Sequence, residues 1–278
     1  MKIVLTIITL CLLIGCAPRS MAIEKEVAND SISDIILDYE LMAGADDQAA
    51  SYWPDLSQIK RDQEIASVHH LQNRLTELDQ STLSSEQQTN FEMLTLILNN
   101  WAHELSFESH LMPLNSEGGF LGGIVYAIRG RAVNDSVSII KYTAELMALP
   151  DYLSLRQAHM EEGQRQGKSS PQVVINNCIK LIDHLIKTPV QDVFFVEVVA
   201  PEYQEEVTKL YKEKVLPAYQ SLRTFLAGPY LHDAPTAVGI SGVTDGRERY
   251  EELVRYFTTY DISPEEIFQM GMTEVSRI

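Results

Sequence analysis

The sequence predicts a mostly α-helical protein, built from long antiparallel helices with little or no β-sheet. Apolar residues recur at steps of three and four over several long segments, as they do on one face of an amphipathic helix. Residues that cap helix starts precede several of these segments. With 278 residues, of which 45% are hydrophobic and 22% charged, the chain has the composition of a folded globular protein and enough length for a large core.

The N-terminal residues predict a lipoprotein signal peptide. Lys2 supplies a positive charge, and the apolar stretch after it is too short for an ordinary membrane span. This stretch ends in Leu-Ile-Gly-Cys, which resembles the bacterial lipobox, where a peptidase cleaves before the cysteine and the cysteine is acylated. We therefore predict a signal peptide over 1–15, a palmitate-type lipid anchor at Cys16, a tether over 16–30 and a helical domain over 31–278. The alternative is a chance cysteine in an ordinary signal peptide.

Charge and anchoring together predict where the protein works. The formal net charge is −17 at pH 7, which disfavours nucleic acid as a partner and disfavours binding of anionic lipid by the protein surface. The membrane contact is therefore expected to come from the lipid on Cys16. Ala17, rather than an aspartate, follows that cysteine. By the lipoprotein sorting rule, this predicts an outer-membrane lipoprotein of the cell envelope that faces the periplasm.

Three helices are predicted in the first part of the chain, over 31–43, 58–78 and 85–107. The sequence Trp-Pro-Asp-Leu-Ser predicts a turn before the second helix, and Ser84 can cap the third. The third helix has the clearest pattern, because its apolar residues recur at steps of three and four along one face. These residues are Phe91, Leu94, Leu98, Trp101 and Leu105.

The middle of the chain is predicted to break after the third helix. Four glycines within six positions disfavour a stable helix interior, so we expect a loop over 113–132 with a short extended segment at 124–128. A helix follows over 136–149. Pro150 is expected to end that helix and to begin another, which runs through Met160.

Four further segments precede the last helix. Residues 170–187 and 247–258 have the pattern of amphipathic helices, and 202–226 predicts a long helix kinked at Pro217. The stretch 193–200 lies between two prolines and is predicted to be a strand or an extended link. All these helices would pack as antiparallel neighbours joined by moderate loops.

The last helix is predicted to begin sharply and to lack a stop signal. Ser263 suits the cap, Pro264 suits the first helical position and Glu266 can close a capping box. No glycine, asparagine or proline follows, and the chain reaches Ile278 inside the predicted helix. We expect the helix to be the first part of a longer one, with an exposed apolar side, and the sequence to be a fragment, a frameshifted product or half of a split protein.

The residues alone do not compose a complete active site. His103-Glu104 begins like the zinc-protease signature H-E-x-x-H, but Phe107 stands where the second histidine would be. His110 would lie two turns away on a continuous helix, which is too far for both rings to share one metal ion. Cys178 lies in an apolar stripe, where a free cysteine acts as a small hydrophobic residue. We predict no catalytic residue, no metal ligand and no cofactor in this chain.

Residues 246–278 carry a specific family pattern. A glycine and a tyrosine enter a helix, a Thr-Thr pair follows, and the last helix has the form Ser-Pro-Glu-Glu-Ile-x-x-x-Gly-x-x-Glu-Val-x-Arg-Ile. These residues resemble the bacterial family catalogued as domain of unknown function (DUF) 885. Weaker matches at 53–64, 111–120, 142–153 and 214–222 extend the resemblance over nearly the whole chain after the signal peptide.

The resemblance implies the N-terminal part of a metallopeptidase-like helical fold. Full-length members are longer, and their C-terminal half carries a zinc-peptidase-like H-E-x-x-x-G-H segment that this sequence lacks. Zinc is therefore expected only in full-length relatives, and this chain alone is expected to be inactive. Its helices would form one wall of a cleft, and a missing or separate C-terminal half would be its partner. Glu145 departs from the family pattern, where an arginine is common.

Two other classes of function remain open at this stage. A non-catalytic lipoprotein would act as a binding or scaffold module, alone or docked on a separate partner. An independent hydrolase would use Cys178 or His103. The DNA downstream of residue 278 separates the first of these from the peptidase-like half, because only the latter requires an H-E-x-x-x-G-H segment there.

Overall fold

Helices make up most of the backbone in the computed structural model, which describes residues 31–44 and 53–278. Those two ranges contain no β-strand beyond an isolated parallel bridge between Val133 and Val199. The prediction of a mostly α-helical protein with little or no sheet is confirmed. The predicted signal peptide, Cys16 and the tether lie outside the described residues. No helix within those ranges is long and apolar enough to cross a membrane.

Eleven α-helices follow one another along the described residues, several of them joined by short 3₁₀ turns. Most of their bounds lie within a few residues of the predicted ones. In chain order the helices are α1 (Ile32–Ala43), α2 (Gln58–Glu77), α3 (Ser85–Ser106), α4 (Phe120–Arg129), α5 (Ser136–Arg165), α6 (Gln172–Lys187), α7 (Phe194–Glu197), α8 (Gln204–Leu210), α9 (Leu216–Phe225), α10 (Gly246–Thr258) and α11 (Pro264–Arg277).

Helices α1, α2 and α3 pack on one another around a small core of their own. Each begins at a serine whose hydroxyl accepts a hydrogen bond from a first-turn amide, and Ser31 and Ser84 complete reciprocal capping boxes. The predicted stripe of α3 faces this core, since two of its leucines are fully buried there. The buried residues are Ile32, Ile35, Val68, Leu71, Leu75, Leu94 and Leu98.

A larger core is formed by α4 to α9 together with Trp53. Helix α5 runs through it and packs against α8 and α9. The indole of Trp53 stacks on Tyr152 with 5.2 Å between ring centroids, and its Nε1–H donates to the backbone oxygen of Glu145 at 3.0 Å. The segment before α2 is thereby fixed against the centre of α5.

The glycine-rich stretch predicted to be a loop is in part the helix α4, and the extended segment predicted at 124–128 was wrong. Gly118 and Gly119 have positive φ of 96° and 59° and form the turn that leads into the helix. The other two glycines lie inside α4, where they lower its intrinsic helix propensity. Tertiary packing outweighs that cost, because Phe120, Leu121, Ile124 and Ile128 bury one face of the helix.

Pro150 does not end a helix, contrary to the prediction. Helix α5 is continuous over thirty residues and carries Pro150 near its middle. A proline inside a helix costs about 3 kcal/mol, because one backbone hydrogen bond is lost and the ring crowds the preceding turn. Leu146, Leu149 and Leu153 are almost fully buried around the proline, and burial of each such side chain contributes about 1.5–3 kcal/mol.

The stretch predicted to be a strand or an extended link contains the single helical turn α7. Its only strand-like feature is the bridge to Val133, whose N–H donates to the oxygen of Val198 at 2.9 Å and whose oxygen accepts from Ala200 at 2.8 Å. In the next segment, a π-helical turn over Tyr211–Val215 interrupts the long helix just before Pro217. The wider turn accommodates the proline, and the kink at Pro217 stays a prediction.

Candidate functional site

An open groove with a volume of about 1020 Å³ lies along helix α4, between that helix and α6, α7 and α9. We call it the α4 groove. Its volume is at the upper end of the range found for small-molecule sites, and its surface is mostly apolar. Sequence reasoning missed it because the glycine-rich stretch was taken for a loop. The signal was present, since Leu121, Ile124 and Ile128 follow steps of three and four.

The floor of the α4 groove is apolar and belongs to the larger core. Leu121 comes from α4, Ile182 and Leu185 from α6, Phe194 from α7 and Tyr219 from α9. The hydroxyl of Tyr219 has no hydrogen-bond partner among the described residues, and burial raises the pKa of that phenol. The floor thus offers a ligand much apolar surface and a single hydroxyl.

The rim of the α4 groove carries charged side chains at both ends of the helix. Glu117 precedes α4, Arg129 is its last residue and Arg131 follows two residues later. The Arg129 guanidinium lies 5.9 Å from the centroid of the Phe194 ring, and no carboxylate of the described residues lies within 4 Å of it. Arg131 instead makes a 2.8 Å ion pair with Glu145.

Glu145 is a fully buried carboxyl group beneath this rim. One carboxyl oxygen accepts from Arg131, whereas Oε2 has no hydrogen-bond partner. Burial raises the pKa of Glu145 to about 7, and the nearby Arg131 opposes that shift. The neighbouring Tyr142 hydroxyl is engaged elsewhere, since it donates to the backbone oxygen of Phe195 at 2.8 Å. The sequence had marked Glu145 only as a departure from the family pattern.

His103 and His110 do not lie on one continuous helix. Helix α3 ends at Ser106, and His110 belongs to a separate 3₁₀ turn. His103 is half exposed in a small cleft between α3 and α10, where its Nε2 is 3.7 Å from Glu252. The two histidines therefore lie on separate elements and not two turns apart on one helix.

His110 is brought together with His159 of α5 and Arg61 of α2. The two imidazole rings meet edge to face with 4.8 Å between centroids, and Arg61 donates to Nδ1 of His110. Burial, and secondly the charge of Arg61, lower the pKa of His110 to about 4. This group does not fit zinc: no set of three metal-ligating side chains occurs in the described part of the chain, and a guanidinium faces the available nitrogen.

Cys178 is fully buried in α6, as its apolar stripe predicted. Burial raises the pKa of its thiol to about 11. The thiolate is the nucleophilic form of cysteine, so this side chain is unreactive at neutral pH. The hypothesis of an independent hydrolase built on Cys178 has no geometric support.

Helices α10 and α11 carry many large apolar side chains that stay exposed to a large extent. Helix α10 is held to α3 by Arg249, which lies over the Phe107 ring and pairs with Glu104 at 3.4 Å. Helix α11 packs on α10 and buries no residue fully. We call this surface the α10–α11 face; its large exposed apolar residues are Tyr256, Phe257, Tyr260, Phe268, Met270, Met272, Val275 and Ile278.

These features define an all-α protein with a ligand-sized groove, a pair of helices with exposed apolar side chains and no group of three metal-ligating side chains within residues 31–44 and 53–278. The profile of the bacterial family described as protein of unknown function (DUF885) matches residues 39–278, and the chain belongs to this family. The resemblance found in the sequence is confirmed. No curated protein matches the chain.

A solved structure shares the fold. The crystal structure of a candidate lipoprotein from Colwellia psychrerythraea superposes with a TM-score of 0.73 at 16% sequence identity. The match covers 88% of this chain and 47% of the Colwellia chain. The present chain therefore spans about half the length of that neighbour.

Proposed function

We propose that this chain is the helical N-terminal half of a lipid-anchored, peptidase-like protein of the bacterial envelope. The observation that carries the proposal is the α10–α11 face, whose large apolar side chains are about half exposed or more. The Colwellia neighbour, itself described as a candidate lipoprotein, is about twice as long, which supports a second half of similar size. Anchoring through Cys16 and outer-membrane placement are parts of the same proposal.

Energetics support a docking role for this face. Phe257 is 77% exposed, Phe268 62% and Val275 70%. Burial of a large apolar side chain contributes about 1.5–3 kcal/mol, so covering three of them would stabilise an association substantially. Large exposed apolar areas are uncommon on monomers and mark interaction sites. The partner that we propose is the C-terminal half of a full-length family member.

In the assembled protein, the chemistry would come from zinc held by the other half, which activates water for hydrolysis of a peptide or related amide. The residues of this chain would orient substrate and exclude water along one wall of the cleft. In this proposal the zinc ligands come from the other half, so we expect this chain alone to have no peptidase activity.

Binding between the halves tests the proposal. The chain and a C-terminal half from a full-length family member are mixed and examined by size-exclusion chromatography with light scattering. We expect a 1:1 complex that Phe268→Asp abolishes. Ile140→Asp is the matched control, because Ile140 is 68% exposed on α5, away from this face. A complex that tolerates Phe268→Asp as well as Ile140→Asp would contradict docking through the α10–α11 face.

A non-catalytic binding module is the second candidate, and the α4 groove favours it. A groove of this volume with an apolar floor can hold a ligand without any catalytic group. The two candidates differ in a simple measurement. If the mixed halves show no zinc-dependent hydrolysis of any peptide in a broad library although they form the complex, the binding module becomes the better description.

A further inference from the structure

The α4 groove has one polar end that matches a negative charge. Arg129 stands at the end of α4 without a carboxylate within 4 Å among the described residues, in a chain whose net charge is −17. Asp192 also lines the groove, but its carboxylate lies more than 4 Å from both rim guanidinium groups. The Arg129 fork therefore remains available for an external carboxylate.

Arg131 is already paired with other groups of the protein, so a carboxylate in the groove is expected to bind Arg129. Glu145 lies beneath the rim and accepts from Arg131 at 2.8 Å, while the Arg131 Nε–H donates to the backbone oxygen of Ala127 at 3.1 Å. These contacts fix Arg131 at the rim. At the opposite end of α4, Glu117 repels an anion. Because α4 has ten residues, the two ends are about 15 Å apart. An anionic ligand should therefore bind with its charged group at the Arg129 end.

The walls between the two ends suit an aliphatic chain. Leu121, Ile182, Leu185 and Val193 are buried along the floor, and Leu181 is 49% exposed at the edge. A peptide lying here would desolvate its amide groups. The floor offers them only the Tyr219 hydroxyl, since the other polar side chains that line the groove, among them Tyr126 and His184, are exposed and not part of the floor. Each unpaired amide costs about 1–3 kcal/mol by protein mutational data. An unbranched hydrocarbon chain has no such groups to satisfy.

We propose that the α4 groove is a binding site for a fatty acid. Its carboxylate is held by Arg129, and its hydrocarbon tail lies along α4 on the floor formed by Leu121, Ile182 and Phe194. This site goes beyond the proposed docking of a second half, since it uses none of the residues of the α10–α11 face.

Calorimetric titration with three ligands of one tail length tests the site. The full chain carrying Cys16→Ser, purified without detergent, is titrated with decanoate, 1-decanol and decyltrimethylammonium below their micelle concentrations. We expect decanoate to bind with 1:1 stoichiometry and roughly tenfold or more tighter than 1-decanol, because only decanoate makes charge-assisted hydrogen bonds. The cationic ligand should bind most weakly. Equal binding of all three, or no binding of decanoate, would overturn the proposal.

Variants locate the site. Arg129→Gln should weaken decanoate binding roughly tenfold and leave 1-decanol unchanged, whereas Arg277→Gln, an exposed arginine of α11, should change neither. Leu181→Asp should weaken both ligands, and Leu37→Asp, a similarly exposed leucine of α1, should weaken neither. Equal losses in Arg129→Gln and Arg277→Gln would show general electrostatic attraction. Tighter binding of an apolar tripeptide than of decanoate would also overturn the assignment. Docking of the second half is measured separately, so either proposal can fail alone.

Discussion

Replacement of the buried Glu145 by glutamine should change how the stability of the protein depends on pH. Burial raises the pKa of this carboxyl group from 4.5 to about 7. Between these values, the folded protein holds a proton that the unfolded chain releases. The folded state therefore loses stability as the pH rises from about 4.5 to 7, at up to about 1.4 kcal/mol per pH unit. Below 4.5 both states are protonated, and the group contributes no pH dependence.

The magnitude follows from the same linkage. Between pH 5 and pH 8, the free energy of unfolding of the wild type should fall by about 2.5 kcal/mol relative to that of Glu145→Gln. Other titrating groups are shared by the two proteins and cancel in the difference. Glutamine keeps the shape of the side chain and removes the titration. The ion pair with Arg131 forms only when Glu145 is ionised, so its contribution is already contained in the folded-state pKa of about 7 and is not a separate term.

Tryptophan fluorescence can follow the relevant core. The chain has two tryptophans: Trp101 lies beside the small core, and Trp53 belongs to the larger core and donates to the backbone oxygen of Glu145. Urea unfolding at pH 5 and pH 8 is measured in a Trp101→Phe background, so that Trp53 alone reports. Glu117→Gln, at an exposed carboxylate, is the control. A stability difference that is the same at both pH values would show that Glu145 is charged throughout, and the argument from burial would fail.

Three other predictions concern packing, ionisation and anchoring. Gly163→Ala should lower the free energy of unfolding by about 1–3 kcal/mol, because the new Cβ would lie 2.5 Å from a backbone oxygen. Gly123→Ala, whose Cβ would have no atom within 4 Å, should raise it by about 0.5–1 kcal/mol. Equal effects of the two substitutions in thermal melts would contradict this prediction. The ring resonances of His110 should not titrate from pH 8 to pH 5.5, given its pKa of about 4, and a midpoint near 6.5 would refute the contact with Arg61. Cys16→Ser should release the protein from membranes, and unchanged fractionation with an unchanged N-terminal peptide mass would rule out acylation.

The helix starts were predictable because capping is a local property. Ser31, Ser84 and Ser263 all accept from the amide three residues later and complete reciprocal boxes. The signals lie within four residues of sequence and need no tertiary partner. The apolar stripe of α3 was equally predictable, since its period fixes which face is buried.

The errors occur where packing overrides local preference. Pro150 and the glycines of α4 both disfavour a helix locally. The helices form because their neighbours bury them on at least one face, and those neighbours come from distant parts of the sequence. The α4 groove was missed for the same reason, because it exists only once α4 is a helix that packs beside α6 and α7. An acidic residue within an apolar helical segment marks Glu145 as unusual in the sequence. Its ion pair with Arg131 could be identified only from the structure.

Hydrogen exchange of the last helix tests the central proposal most directly. Helix α11 begins with a complete capping box but buries no residue fully, so its amides should open easily in the chain alone. We predict that amides 267–277 exchange rapidly in the isolated chain and become protected when the C-terminal half of a full-length family member is added, while the amides of α5 remain protected in both samples. Full protection of 267–277 in the isolated monomer, or no change when that half is added, would contradict the proposal that the α10–α11 face is a docking surface.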